Sequence, residues 1–561
     1  MDNKEFSKLV HEIYVDKEKI DLLPSLSTSN FLHSCYMYFL KGGKRGVFLY
    51  SVNKILKQLL SLIFIIISLF INWSGIWSCD ECHDISLFVI PQIDFSWLNF
   101  FVVLYICIQI AKIGYNAINL FKNRELYTQV CHFYQNILFV DDIQIQEIRW
   151  GEIVNKIVDV HNTGLYVVFK NVPEIDSYSI TQVLCRDNNY LLAMIQHDKL
   201  KHYLCCSKTS YLIQEHVDYY QKLVSYAFLD NHKLNYMYLQ NIQQVKLATK
   251  LLGVFYLLYL PFNLFEYFIS IFINYIDDFK SRKSDISSLQ NGWTTYAKWL
   301  FRDYNESLHN FNKRLYASHK FADMYKKHVH YPVWSYINHI LLNTIKSLFA
   351  LIVLITVIND DVLLHAQVYH QNLLWYVAVF SFLMAILKSN ITESQEIIYS
   401  SEKIMKNIAV YTHYFPDLWK KNCHRNFVRD QFNSLYMSNL KIIWCDLLQK
   451  LSLPYTFGFV IPSRVENMLN FIKEHTVTVP EVGDICSLSH FELRNVEVSD
   501  KLSKSFLNYE VQHPKYIKNF SVLKKIQEHN VDKEVFKDLE IGTQDNLEYY
   551  MYKMNEINSG I

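Results

Sequence analysis

The sequence predicts a mainly α-helical, polytopic membrane protein: four transmembrane helices, two re-entrant membrane segments and a small mixed α/β cytoplasmic layer. Three observations carry this expectation. Of 561 residues, 51% are hydrophobic and 16% aromatic while only 19% are charged, the balance of a membrane-embedded body. Four apolar stretches reach the length that ~30 Å of hydrocarbon demands. The Lys and Arg residues around them gather on one side, as the positive-inside rule requires. A net charge of +1 supplies no global field to attract nucleic acid, which is excluded as a partner.

The elements follow in order. Residues 1–58 read as a cytoplasmic N-terminal segment, polar from Met1 to Ser29 and without a signal peptide. A first hairpin, 59–115, holds spans at about Leu59–Trp77 and Trp97–Tyr115. Lys41, Lys44, Arg45, Lys54 and Lys57 precede it, whereas the loop Ser78–Ser96 has no Lys or Arg and carries Asp80, Glu81, Asp84 and Asp94, so that loop is lumenal or external. Residues 116–250 read as a cytoplasmic α/β region, with helical spacing over Trp150–Val160 and Asp187–Ile195 and a strand over Leu165–Lys170. Residues 277–336 are cytoplasmic helices. A second hairpin, 337–388, has spans Ile337–Ile358 and Tyr369–Leu387 around the acidic turn Asn359–Gln367. Residues 389–499 return to cytoplasmic helices, and 500–561, lysine-rich and polar, form a C-terminal tail. Both termini are then cytoplasmic.

The longest apolar run, Leu251–Ile276, is bracketed by Lys246 and Lys250 before it and by Lys280, Arg282 and Lys283 after it. Both ends favour the cytoplasm, and Pro261 favours a kink, so 251–276 reads as a re-entrant helix that dips in and returns. A fifth crossing there would invert the second hairpin against its charges. An ordinary tilted span is the other reading. A second such segment, about 442–461, lies between Lys441 and Arg464 and contains Pro454; with Asp446 and Lys450 inside it, a soluble core helix is its alternative.

No phosphate loop, zinc-protease or serine-nucleophile motif is present, so neither an enzyme nor a bound cofactor is expected. Lys41–Gly46 (KGGKRG) lacks phosphate-loop spacing and reads as a basic turn at lipid headgroups. His413, Cys423 and His424 lack a fourth ligand, and no metal is expected. Cys79 and Cys82 are a candidate disulfide on the external side. The informative residues are polar groups inside apolar segments, costly unless they face protein or water. Asn263 and Glu266 lie three apart on one helix face, Lys346 makes the cytoplasmic half of the third span polar, and Lys388 closes the fourth, where snorkelling explains it equally. With Lys280 and Arg282 they are candidates for a wet groove that lets a phospholipid headgroup change leaflets without ATP. A membrane scaffold and an ion channel or transporter are the competing classes.

From Trp293 onward the chain resembles a known family. Trp293, Arg302, Tyr304, Asn305, Glu306 and His309, within GWTTYAKWLFRDYNESLHNFNKRL, are similar to the block of the autophagy-related protein 9 family in which an arginine leads into F-N-E-L and a histidine. Tyr414, Phe415, Pro416 and Trp419, then Pro462 to Val465, then Gly483 to Ser487 continue the resemblance, which spans roughly residues 30–495. It implies a homotrimer with four spans and two re-entrant segments per protomer, exchanged between neighbours, that scrambles phospholipids nonselectively. It further implies residence on preautophagosomal membrane and Golgi- or endosome-derived cytoplasmic vesicles, or the endoplasmic reticulum. The implied partners are the autophagy-related protein 2 lipid-transfer protein and other autophagy initiation factors. Lys280 falls at the family's basic-basic-acidic pore cluster, but Ser281 and Arg282 depart from that order. Glu18, Leu22 and Leu23 fit an adaptor-sorting pattern.

Overall fold

The computed structural model describes residues 28–71, 97–169, 172–200, 210–229, 233–280, 291–328, 332–358, 362–363, 366–369, 371–389, 400–480, 482–491 and 500–513. Helix α1 (Thr28–Leu40) turns into α2 (Lys44–Leu69) through a corner that needs glycine: Gly42 and Gly43 have φ of 70° and 95°, and a Cβ on Gly43 would strike the Asp142 carboxylate. The basic KGGKRG segment is thus a helix-to-helix corner. Both α2 and α3 (Trp97–His132) extend beyond their apolar stretches at the end facing the body, α2 beginning at Lys44 and α3 continuing past Tyr115 to a π turn, Phe133–Ile137, while α2 ends at Leu69, short of the expected Trp77. They pack antiparallel, Gln58 accepting from Asn116 Nδ2 at 2.8 Å while Ile65 meets Tyr105.

The foot of α3 enters a packed body of helices: α4 (Trp150–Asn162), α5 (Ser177–Gln196, capped by Asp176), α6 (Gln214–Tyr226) and α7 (Tyr236–Gln240). One core joins α1, the foot of α3, α4 and α5; a second joins α5, α6 and the segments after residue 437. The strand expected over Leu165–Lys170 does not form. Residues 165–169 are bends whose Val168 N–H donates to His161 Nδ1 at 3.0 Å, so the backbone donor goes to a side chain instead of a ladder, and Lys170 lies outside the described residues. Between residues 116 and 250 the described β contacts are isolated bridges, among them Phe228 with Leu234.

Helix α8 (Ile242–Lys280) runs 39 residues without interruption through Pro261. It stays helical past this kink-favouring proline and is clasped on one side by α3 and on another by the 439–460 segment. Strand β1 (Gly292–Trp293) follows, then α9 (Thr295–Phe301), α10 (Leu308–His328) and α11 (Pro332–Ile358). The short pair β2 (Gln367–Val368) and β3 (Gln371–Asn372) leads into α12 (Leu373–Ser389), which packs on α11. At 17 residues α12 holds the expected fourth span at the lower limit of crossing length. Among the described residues the helices long and apolar enough to cross are Lys44–Ile67, Val102–Ile137, Ile242–Ile271 and Tyr336–Ile358, so α8 is among them.

The chain then forms α13 (Ser401–Thr412), α14 (Asn426–Leu435) and β4 (Tyr436–Met437), which pairs antiparallel with β1 so that Trp293 lies opposite Tyr436. Helix α15 (Asn439–Tyr455), a π turn (Thr456–Val460) and α16 (Ile461–Glu474) carry the second apolar segment past Pro454. Its two charges are absorbed by the body: Lys450 pairs with Glu215, and Asp446 accepts from the Tyr211 hydroxyl at 2.6 Å. The hairpin β5 (Thr476–Val479) and β6 (Gly483–Cys486) has Val477 opposite Ile485. Helix α17 (Asp500–Gln512) corrects the expected tail at its start, because Leu502, Phe506 and Tyr509 form a buried stripe at helical spacing.

Candidate functional site

The structure groups polar side chains between the apolar helices α3 and α8. Tyr105 and Gln109, one turn apart on α3, both donate to Glu266 Oε1, Tyr105 at 2.5 Å. Tyr259, two turns before Glu266 on α8, donates to the same oxygen at 2.9 Å and receives Gln109 Nε2 at 3.2 Å. Lys112 Nζ reaches the Tyr259 hydroxyl at 3.2 Å and lies 4.9 Å from the centre of its ring. Moving from Tyr105 to Lys112 along α3 matches moving from Glu266 back to Tyr259 along α8, so the two helices run antiparallel. Gln109 is about 26 Å up α3 from Leu126, where the helix enters the body, a distance comparable with hydrocarbon thickness.

Asn263 sits between Tyr259 and Glu266 on the helix, 8% exposed, with a buried Nδ2 that has no hydrogen-bond partner among the described residues. Rings frame the group: Tyr105 stacks on Phe262 at 4.4 Å and Tyr259 on Phe255 at 5.4 Å. The remaining sequence candidates do not join it. Lys346 is exposed on α11 and shares no hydrogen bond with the Glu266 group among the described residues. Lys280 and Lys388 fall on helix ends whose side chains lie outside the described residues, as do Arg282, Glu18, Leu22, Leu23, Cys79 and Cys82 altogether. The described cysteines, Cys35, Cys107, Cys131, Cys185, Cys423, Cys445 and Cys486, are free thiols. The sequence reasoning passed over Gln109 and Lys112, although both interrupt the apolar run Trp97–Tyr115 three residues apart, the criterion that singled out Asn263 and Glu266.

The Trp293–His309 block has a different place. It is a buried hub of the body that binds both neighbouring groups and groups far away in sequence. Asp303, 1% exposed, receives Lys501 Nζ at 2.7 Å, His413 Nδ1 at 2.5 Å and Asn508 Nδ2 at 3.0 Å. Glu306, 2% exposed, pairs with Arg314 at 2.8 Å and accepts the Asp303 backbone N–H. Arg302 donates to the Glu306 carbonyl at 3.3 Å. Asn305 takes φ +59° and exchanges hydrogen bonds with Asn189 on α5, while Trp293 Nε1 donates to Ser318 at 3.0 Å. Tyr304 donates through its hydroxyl to Gln196 at 2.8 Å. Burial pushes the Asp303 carboxyl up, but the charges of Lys501, His413 and Arg314 outweigh it and hold the group well below the carboxylate range.

His309 accepts from the Tyr36 hydroxyl at 2.9 Å, tying the hub to α1. Burial, aided by the Lys313 charge, pushes His309 down to about 4, and burial does the same to His513. These histidines are neutral when folded and take up protons more readily when unfolded, so stability falls as pH drops from about 6.5 toward 4. His309→Gln, which keeps an acceptor for Tyr36, is expected to flatten that slope in unfolding midpoints measured across the window; an unchanged slope would remove His309 from the account.

A helical body carrying several membrane-length helices, with a polar seam between two of them, defines a polytopic α-helical membrane protein. Comparison with known proteins says which kind. The family model for autophagy protein ATG9 matches residues 27–492, and the chain belongs to that family. It is 24% identical over 568 residues to autophagy-related protein 9 of Dictyostelium discoideum, covering 93% of this chain and 78% of that one. To the Arabidopsis thaliana protein of the same name it is 23% identical, covering 89% of this chain and 62% of the relative, and to that of Candida albicans 25%, covering 87% and 57%. The chain thus spans about three fifths of these last two relatives. The cryo-EM structure of Schizosaccharomyces pombe Atg9 shares the fold, with a TM-score of 0.60 at 20% identity over 83% of this chain and 98% of that one.

Proposed function

We propose that the chain is an ATP-independent phospholipid scramblase, not an enzyme, which equilibrates lipid between leaflets as autophagosome membranes expand. It does so as a homotrimer on preautophagosomal membrane and on Golgi- or endosome-derived vesicles, receiving lipid from the autophagy-related protein 2 lipid-transfer protein, with both termini cytoplasmic. The observation that carries this reading is the Glu266 group: a carboxylate, a lysine and an unsatisfied amide between two apolar helices of membrane-crossing length. A headgroup passing such a seam keeps polar contacts while its tails stay in hydrocarbon.

The topology in which α8 does not cross is supported by its contacts. Near its start Thr249 bonds Tyr219 of the body at 2.6 Å, and 18 residues later Tyr267 donates to the Ile443 carbonyl at 3.0 Å, beside the Tyr211 and Asp446 pair. From the body the helix therefore runs about 27 Å to its contact with the second apolar segment, which is itself bracketed by Lys441 and Arg464.

Purified protein in liposomes is expected to let an external reductant quench a leaflet-symmetric fluorescent lipid completely without ATP; a plateau at half quenching overturns the reading. Glu266→Leu with Lys346→Leu is expected to restore that half plateau. Retained binding of autophagy factors by a wild type that plateaus would point to a scaffold, and saturable ion conductance to a channel or transporter.

A further inference from the structure

Between α13 and α14 the chain folds into a tight knuckle over residues 417–426. Its inner side is fixed. The buried Trp419 donates through Nε1 to Gln431 at 2.7 Å, Cys423 Sγ donates to the Trp419 carbonyl at 3.1 Å, and the Cys423 carbonyl accepts from the Tyr325 hydroxyl at 2.6 Å. Its outer side is open and mixes apolar with cationic groups: Leu418 is 69% exposed and Phe427 41%, and Lys421, His424 and Arg425 stand exposed between them in sequence. Asp417 pairs with Lys420 at 3.0 Å and Asp430 lies 3.8 Å from Arg429, whereas among the described residues no carboxylate pairs with Lys421 or Arg425. Lys421 holds a φ of +62°, a conformation that glycine or asparagine adopts with less strain, so the turn carries a cation where the backbone alone favours a smaller residue.

The knuckle sits where its lobe joins a membrane helix. Tyr325 lies one turn before the end of α10 at His328, and the apolar α11, of crossing length, begins after three intervening residues at Pro332. On its other flank is the start of α13: burial, and then the charge of Glu402 in the first turn of that helix, push the Cys423 thiol up to about 11. We propose that the knuckle docks on the bilayer surface beside the root of α11, Leu418 and Phe427 entering the headgroup layer while Lys421 and Arg425 meet anionic phospholipid headgroups. Apolar side chains interleaved with lysine and arginine are what segments lying in that interface use. The place at the root of α11 makes a lipid surface, and not a soluble acidic peptide, the occupant. The contact uses none of the Glu266 group and holds whether or not the chain moves lipid.

Full-length protein carrying Leu418→Cys is spin-labelled in nanodiscs of phosphatidylcholine, alone or mixed with phosphatidylserine, and the signal of the labelled parent, which reports the native thiols, is subtracted. Collisions with oxygen, which concentrates in lipid, and with a water-soluble nickel chelate report the depth of the label. With phosphatidylserine present, oxygen collisions are expected to rise and nickel collisions to fall. Lys421→Asn with Arg425→Gln is expected to lower the ratio of immersed to exposed label by about thirtyfold, or about fivefold for each basic residue removed from an anionic surface. Asparagine keeps the left-handed turn while removing the charge. High salt is expected to produce a fall in the same direction without the two charge substitutions, so the result does not depend on how that variant folds. A label open to nickel in both bilayers overturns the proposal. So does one screened from both reagents, which would place a protein partner or a second copy over the knuckle, and so does immersion indifferent to charge and salt.

Discussion

Asp303→Ala is expected to destabilise the chain by about 3–5 kcal/mol, the cost of stripping one partner from a buried ionic network. The carboxylate it removes is 1% exposed and is the meeting point of Lys501, His413 and Asn508, with Arg314 at 3.7 Å. Without it Lys501 and Arg314 face one carboxylate instead of two. Since the Asp303 carboxyl is held well below its ordinary range, its contribution is complete at neutral pH and is lost as pH falls through that depressed value. A loss of this size is a large share of the ~5–15 kcal/mol that holds a domain together. Unfolding midpoints in detergent would report it. Lys501→Met should recover part of the loss in the double variant, because it removes a charge that Asp303→Ala leaves unpaired. A single-variant loss below about 1 kcal/mol would mean that water, not Asp303, solvates Lys501.

This hub shows how far sequence could be read. The resemblance located Trp293, Arg302, Tyr304, Asn305, Glu306 and His309, because a contiguous block survives as a string. What the block does was not legible, since its partners Asn189, His413, Ser505 and Asn508 come from elements up to 205 residues away and only folding brings them together. Apolar runs and their flanking charges located α2, α3, α11 and α12, for which hydrocarbon length is a local constraint. Periodicity also found α4 and α5, but alternation alone misassigned residues 165–169, whose backbone donor is taken by His161. In the seam, Glu266 and Asn263 were visible as polar residues in an apolar run. Tyr105 and Tyr259 were not, because a tyrosine inside such a run looks like any other aromatic until its hydroxyl is seen to reach a carboxylate.

Gly253→Val is expected to separate α8 from the segment that follows α15. A Cβ at 253 would lie 2.6 Å from the backbone nitrogen and 2.8 Å from the Cα of Gly458, distances that flexible side chains can relieve and backbone cannot. The crossing is consolidated by Tyr256 stacking on Phe457 at 5.0 Å, and Phe457 in turn meets Tyr219 and His216 of α6. Overpacking of this kind costs about 1–3 kcal/mol, and valine adds the penalty of a β-branched residue in a helix. The diagnostic comparison is alanine. Helix propensity alone would make Gly→Ala favourable by about 1 kcal/mol, and that gain is expected for Gly114→Ala on α3, where a Cβ meets nothing within 4 Å. Gly253→Ala is expected to have the opposite sign, since even a methyl group falls on the Gly458 backbone. Gly458→Ala, whose own Cβ would point into open space, should be tolerated. Unfolding midpoints of these three alanine variants test the crossing without reference to activity: if Gly253→Ala stabilises as Gly114→Ala does, the two helices are not in backbone contact. Because α8 also carries Tyr259 and Glu266 on the side that meets α3, forcing its other side away from Gly458 should shift both residues against Tyr105 and Gln109. Gly253→Val is accordingly expected to slow lipid movement whatever the charge of the headgroup.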